Sequence, residues 1–213
     1  MYKRIISTLA ILAITGCGSS SSSTSTKTTE EVVGYNGFFV DAAIQNISWA
    51  CGGQSGTTDT NGKFGTCPTN SKVTFSIGNL ILGEASPTDD YIFTVADVVN
   101  VDRDDTGNDI VQGIAALLLS MDKDGDSSNG LVITEEAIAA LNAQITEKQE
   151  FALLKKDASV ALIENAVKNN PQVDSVPTRE EITAHLIETN GDIIDGTQQA
   201  GEEVKAKKDE ATS

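Results

Sequence analysis

Met121-Asp122-Lys123-Asp124-Gly125-Asp126-Ser127-Ser128-Asn129-Gly130-Leu131-Val132-Ile133-Thr134-Glu135-Glu136 is the stretch on which the reading of the chain turns. Upstream of it, Ile110, Val111, Ile114, Leu117 and Leu118 fall on one face at helical spacing, behind a candidate cap at Asn108. Downstream, Thr134 is the predicted cap of a second helix carrying Ile138, Leu141 and Ile145. Between these stripes stand side-chain oxygens at alternate positions, a turn-forming Asn-Gly, one apolar residue and then the carboxylates Glu135 and Glu136. A hard cation with six to eight oxygen ligands requires donors in that order. Asp122, Asp124 and Asp126 also repel one another at such short spacing, a cost that a divalent ion removes. Ca2+ is the expected ion, since a flexible loop with many ligands suits it better than Mg2+. The alternative is a solvated acidic turn in which the aspartates serve as turn formers.

The stretch resembles an EF-hand or dockerin-type calcium loop. Counted from Asp124, that resemblance implies ligands at Asp126, Ser128, the Gly130 carbonyl and Glu135, with Leu131 at the apolar place and Asn129 where glycine is usual. Counted from Asp122, the three aspartates take the first, third and fifth places, Ser127 to Asn129 become an insertion before Gly130, and the closing carboxylate is Glu136. Both frames remain open at the level of sequence. Asp102, Asp104, Asp105 and Asp109 are dense too, and are expected to act as cap and dipole partners of the helix that follows.

The first residues read as an address. Met1-Tyr2-Lys3-Arg4 is basic, Ile5 to Ile14 is a short apolar run, and Thr15-Gly16 leads into Cys17. A run of about ten residues is too short for a mature transmembrane helix, which needs ~20. Ile14-Thr15-Gly16-Cys17 resembles the bacterial lipobox, which implies cleavage after residue 16, lipidation of Cys17 and stable anchoring by several acyl chains. Gly18, where an aspartate would signal inner-membrane retention, points by the same resemblance to the outer membrane, facing periplasm or cell surface. Residues 17–31 then form a Ser/Thr-rich flexible linker reaching roughly 20 Å. Residues 196–213 read as a disordered polar tail.

From residue 32 to 101 the text is strand-like. Phe38 to Val40, Ile44 to Trp49, Val73 to Ile77 and Tyr91 to Val95 are separated by Gly, Asn and Asp turns, and Val73, Phe75 and Ile77 alternate with Thr74 and Ser76. Thr60-Asn61-Gly62-Lys63 predicts a two-residue type I′ hairpin. Cys51 and Cys67 flank it, and in an exported chain two such thiols are expected to pair, closing a loop that contributes ~3 kcal/mol; free thiols are the alternative. Residues 34–64, with Val40-Asp41-Ala42-Ala43-Ile44 followed by Gly56-Thr57-Thr58-Asp59-Thr60-Asn61-Gly62-Lys63-Phe64, resemble carboxypeptidase-regulatory-like and related Ig-like modules. Such modules are structural or binding appendages.

The expected fold class is therefore α+β: a small N-terminal antiparallel β-sandwich (32–101), then a helical module (102–195) that contains the helix-loop-helix acidic loop. Later helical stripes carry Val160, Leu162, Ile163, Ala166 and Val167, and then Ile182, Leu186 and Ile187 behind a Thr178–Glu181 capping box. A formal charge of −16 over 213 residues excludes a general nucleic-acid binder. With a single imidazole, His185, expected to be partly exposed, there is no nucleophile context for a catalytic triad. The expected function is that of a non-enzymatic lipid-anchored envelope protein with a calcium-stabilised module, acting in adhesion, envelope organisation or the binding of a protein or carbohydrate. The alternatives are a carbohydrate-active hydrolase with paired carboxylates, signalled by an aromatic groove near Trp49, Tyr35 or Tyr91, and an accessory lipoprotein of a secretion or surface assembly.

Overall fold

Short alternating runs near the N-terminal end make strands, and the longer apolar stripes that follow make helices. The computed structural model describes residues 34–191 and residue 193; the expected signal peptide, lipidated Cys17, linker and tail fall outside the described residues. In chain order the elements are β1 (Gly34–Val40), β2 (Ile44–Gln45), β3 (Ser48–Cys51), β4 (Gln54–Thr57), β5 (Lys63–Pro68), β6 (Val73–Ile77), β7 (Leu80–Ala85), β8 (Ile92–Thr94), α1 (Val95–Val98), α2 (Asp109–Met121), β9 (Leu131–Val132), α3 (Glu135–Asn142), β10 (Gln149–Glu150), α4 (Lys156–Asn169) and α5 (residues 179–191). The fold class is α+β. No described helix is long and apolar enough to cross a membrane.

The strands form one sheet ordered β5-β1-β8, a second ordered β10-β7-β6-β3-β4, and the pair β2-β9. The expectation of purely antiparallel pairing is corrected here, because β1–β8, β7–β10 and β2–β9 are parallel. Parallel partners need long crossovers, and these three pairings are made by chain that returns after other elements have intervened. The expected type I′ hairpin also moves. At Asp59–Gly62 positive φ is confined to Gly62 (72°), while the Asp59 carboxylate accepts from the N–H groups of Asn61 and Lys63. That turn carries the chain from β4 in one sheet to β5 in the other. The tight hairpin with two positive φ values is Gly52-Gly53 (50° and 84°), between β3 and β4.

Four rings fasten the two larger sheets. Phe39, Phe64 and Phe93, one from each strand of the first sheet, surround Phe75 on β6 at centroid distances of 4.3, 5.4 and 6.0 Å. Cys51 on β3 is disulfide-bonded to Cys67 on β5, so the bridge also joins the two sheets. The helices complete the same core: α2 buries Val111, Ile114, Leu117 and Leu118, and Leu162, Ile163, Ile182 and Leu186 pack in the same cluster as the rings. The division near residue 101 is therefore a change of secondary structure within one compact unit, and not a boundary between two cores.

Just past that point, Arg103 ties the end of the strand region together. Its guanidinium contacts the carboxylates of Asp90 (2.9 Å) and Asp97 (3.0 Å) and donates to the Ile92 carbonyl (2.7 Å). Burial pushes the Asp90 carboxyl up, but Arg103 and the Ile92 N–H more than reverse this and hold it below the usual carboxylate range. A depressed carboxyl stabilises the fold above its unfolded value and loses that contribution as pH falls through the folded one. Arg103→Met should cost about 1–2 kcal/mol near neutral pH, the groups being part-exposed. Urea midpoints at pH 7 and pH 3 check this: the variant should lose less on acidification than the parent, and equal losses would contradict the assignment.

Candidate functional site

The acidic loop begins where α2 ends. Asp122 is 1% exposed, and its Oδ1 accepts from the Val132 N–H at 2.8 Å while the Lys123 N–H donates to the Val132 carbonyl at 3.0 Å. The loop thus closes on itself before α3 starts. Asn170, beyond α4, donates its side-chain amide to the Asp122 carbonyl at 2.6 Å. From the other side the exit strand β9 lies along β2, with Leu131 N–H donating to Ala43 O (2.8 Å) and the Asn46 amide to Ile133 O (2.9 Å). Gly130 holds φ 94°, and a Cβ there would stand 2.9 Å from the Ala43 carbonyl, so glycine is required at that approach.

Within the loop the candidate ligands divide. Asp122 Oδ2 is buried and has no hydrogen-bond partner. Burial, and then the neighbouring Asp124 carboxylate, push the Asp122 carboxyl up; the Asp126 N–H, the Asn129 amide and Asp122 itself hold Asp124 down. Asp122 and Asp124 are thus brought together. Asp126 instead caps the 3-10 turn Ser127–Asn129, accepting from the Ser128 N–H (3.1 Å) and hydroxyl. Glu135 and Glu136 are exposed in the first turn of α3, which Thr134 caps through the Ala137 N–H (3.2 Å). Glu136 lines a cavity of about 390 Å³ between α3 and α4 with Lys123, Leu141 and Leu162. Among the described residues no three His, Cys, Asp or Glu side chains converge as a metal-binding group. Asp109 lies in the first turn of α2, as expected, and Arg179 reaches it at 2.9 Å.

The aromatic residues singled out for a groove lie in the core. Trp49 is 7% and Tyr35 6% exposed, and Tyr91 stacks on Tyr35 at 5.2 Å. His185 is partly exposed, as expected, but has a partner that the sequence did not show. Its side chain is 11% exposed, and Nε2 stands 3.2 Å from Oδ1 of Asp41, itself 1% exposed. Burial pulls the imidazole down, but the Asp41 carboxylate, with Glu188 adding to it, overrides this and raises it above its ordinary value. Sequence reasoning missed Asp41, although a signal was there: one carboxylate inside the apolar run Phe38-Phe39-Val40-Asp41-Ala42-Ala43-Ile44. Ala42 beside it holds φ 60°, which turns the chain between β1 and β2. A cavity of about 580 Å³ opens next to this pair, lined by Phe38, Ile92, Ser128, Asn129, His185 and Glu188. Comparison of the chain with known protein families, with curated proteins and with solved structures found no match.

Proposed function

We propose that the chain is a non-enzymatic, lipid-anchored envelope protein of the bacterial outer membrane, whose body carries a calcium-stabilised loop and serves adhesion, binding or envelope organisation. The observation that carries the calcium reading is the buried, unpartnered Oδ2 of Asp122 beside the Asp124 carboxylate. A buried carboxylate oxygen without a donor is costly, and two carboxylates side by side double the demand for positive charge. Asp126, Ser128 and the Gly130 carbonyl are within the same short segment, with Glu135 or Glu136 as the closing carboxylate, all oxygen donors of the kind Ca2+ takes. Bound there, the ion would join the end of α2 to the start of α3.

The Ig-like reading of the strand region as a small sandwich, lipidation at Cys17 and a protein or carbohydrate ligand belong to the same proposal. The lipobox resemblance supports the anchor, and a disulfide suits the oxidising compartment to which such a signal leads.

Calorimetric titration of Ca2+ into the body beginning at Thr28 tests it. Saturable binding at roughly 10⁻⁴ to 10⁻³ M is expected, with a higher melting temperature in calcium than in chelator. Asp124→Ala with Asp126→Ala should abolish that difference and leave the chelator value in place. No saturable binding at millimolar calcium would reduce the loop to an acidic turn.

A further inference from the structure

We propose that the Asp41–His185 ion pair is a pH-operated latch, which holds α5 against the β1–β2 connection while the ring is protonated and lets the helix loosen when that proton leaves. Asp41 is 1% exposed, at the turn where Ala42 holds φ 60°. Its Oδ1 stands 3.2 Å from His185 Nε2. Among the described residues no other group donates to either carboxylate oxygen, so the imidazolium is the counter-charge of this buried anion. Removing one charge from a buried pair is far more costly than the pair is stabilising, because the other charge is left unpaired. Loss of the ring proton to solvent therefore turns a fastening into a liability, which is relieved when α5 moves and water reaches the carboxylate.

The other fastenings of α5 do not titrate near neutral pH. Thr183 Oγ1 accepts from the Gln112 amide (2.8 Å), Arg179 pairs with Asp109 (2.9 Å), and the Asn190 amide donates to the Arg103 carbonyl (2.8 Å). Facing the strands, His185 lines the 580 Å³ cavity with Glu188, opposite Phe38, Val40 and Ile92. Two carboxylates act on the ring, Asp41 across the contact and Glu188 on its own helix, and together they raise it against the effect of burial. Glu181, one turn earlier, is engaged by Thr178. The strand residues and residues 127–130 that line the cavity carry no ionisable side chain. A raised imidazole contributes fully below its ordinary value and loses that contribution as pH rises through the folded one. The latch is thus closed in mild acid and opens toward alkali, opposite in sign to the Arg103–Asp90 pair. It uses no proposed ligand of the acidic loop and rests on neither the calcium nor the anchor reading.

The test uses the body from Thr28, which contains the whole compact unit, without a histidine tag and with Ca2+ held at one concentration. His185 is the chain's only imidazole, so its ring resonances report the latch directly. Their titration midpoint should lie above the ordinary value of ~6.5 in the parent, and fall to it or below in Asp41→Asn. Amide exchange of α5, expressed as protection factors to remove its intrinsic base catalysis, should lose at least about tenfold in protection between about pH 6 and 9. That loss should vanish in Asp41→Asn. His185→Gln leaves Asp41 without its counter-charge and should show the loosened helix already at about pH 6, which tests the latch even where Asp41→Asn does not fold. A parent midpoint at or below ~6.5, α5 protection that does not fall with pH, or a larger drop in midpoint for Glu188→Gln than for Asp41→Asn would overturn the proposal.

Discussion

Phe75→Ala is expected to lower the unfolding free energy by about 3–5 kcal/mol, with an unchanged denaturant slope. Phe75 is fully buried on β6, and its ring meets Phe39, Phe64 and Phe93, three rings on three strands of the facing sheet. Removing it deletes the contact common to all of them. The cavity cannot collapse easily, because each neighbour is held by strand pairing on its own sheet, and in such sites the cavity adds to the lost transfer energy. Phe75→Leu, which fills most of the volume, should cost about 1–2 kcal/mol. Guanidinium unfolding curves decide it. A loss below about 1 kcal/mol for the alanine variant would mean that the four rings do not pack as described.

The Cys51–Cys67 bridge gives the second large effect. The bonded residues are 16 apart in sequence, and closing a loop of that size is worth ~3 kcal/mol through the entropy of the unfolded chain. The parent protein under reducing conditions, Cys51→Ala and Cys67→Ala should therefore unfold at nearly the same lowered midpoint, since each removes the same constraint. The bond also connects the sheet containing β3 to the one containing β5. Coincident midpoints for the oxidised and reduced parent would show that the bond contributes nothing.

Much of this architecture is written locally. The alternation at Val73 to Ile77, the Asn108 cap of α2, the Thr134 cap of α3 and the Thr178–Glu181 box all form as the residues predict, because each depends on neighbours within four positions. The Cys51–Cys67 pairing was legible too, from thiol chemistry and the expectation of an exported chain. What could not be read is non-local. Nothing near Ile92 says that β8 will lie parallel to β1, or near Gln149 that β10 will lie along β7. The hairpin was misplaced because Asp59 satisfies the turn with its own carboxylate, and so spares Asn61 the left-handed conformation that a type I′ turn would demand. In the acidic loop the spacing of carboxylates was visible but their division of labour was not: Asp122 is buried through a hydrogen bond to Val132, ten positions on, while Asp126 turns aside to cap. Asp41 and His185 meet only because α5 packs over the β1–β2 connection.

The short parallel pair β2–β9 sets the order in which the chain can mature. Its side-chain clasp joins Asn46 to Ile133, 87 residues away, so the N-terminal strands cannot acquire their last partner until well over half the chain has been made. Contacts of such high sequence separation slow the search for the native state, since loop-closure entropy must be spent before they form. The chain should consequently fold late and as a whole, staying open during synthesis, and a fragment ending near residue 101 would expose the unpaired β2 edge and a half-covered core. The strand region and the helical region are thus interdependent in kinetics as well as in packing, and neither can be transplanted by itself.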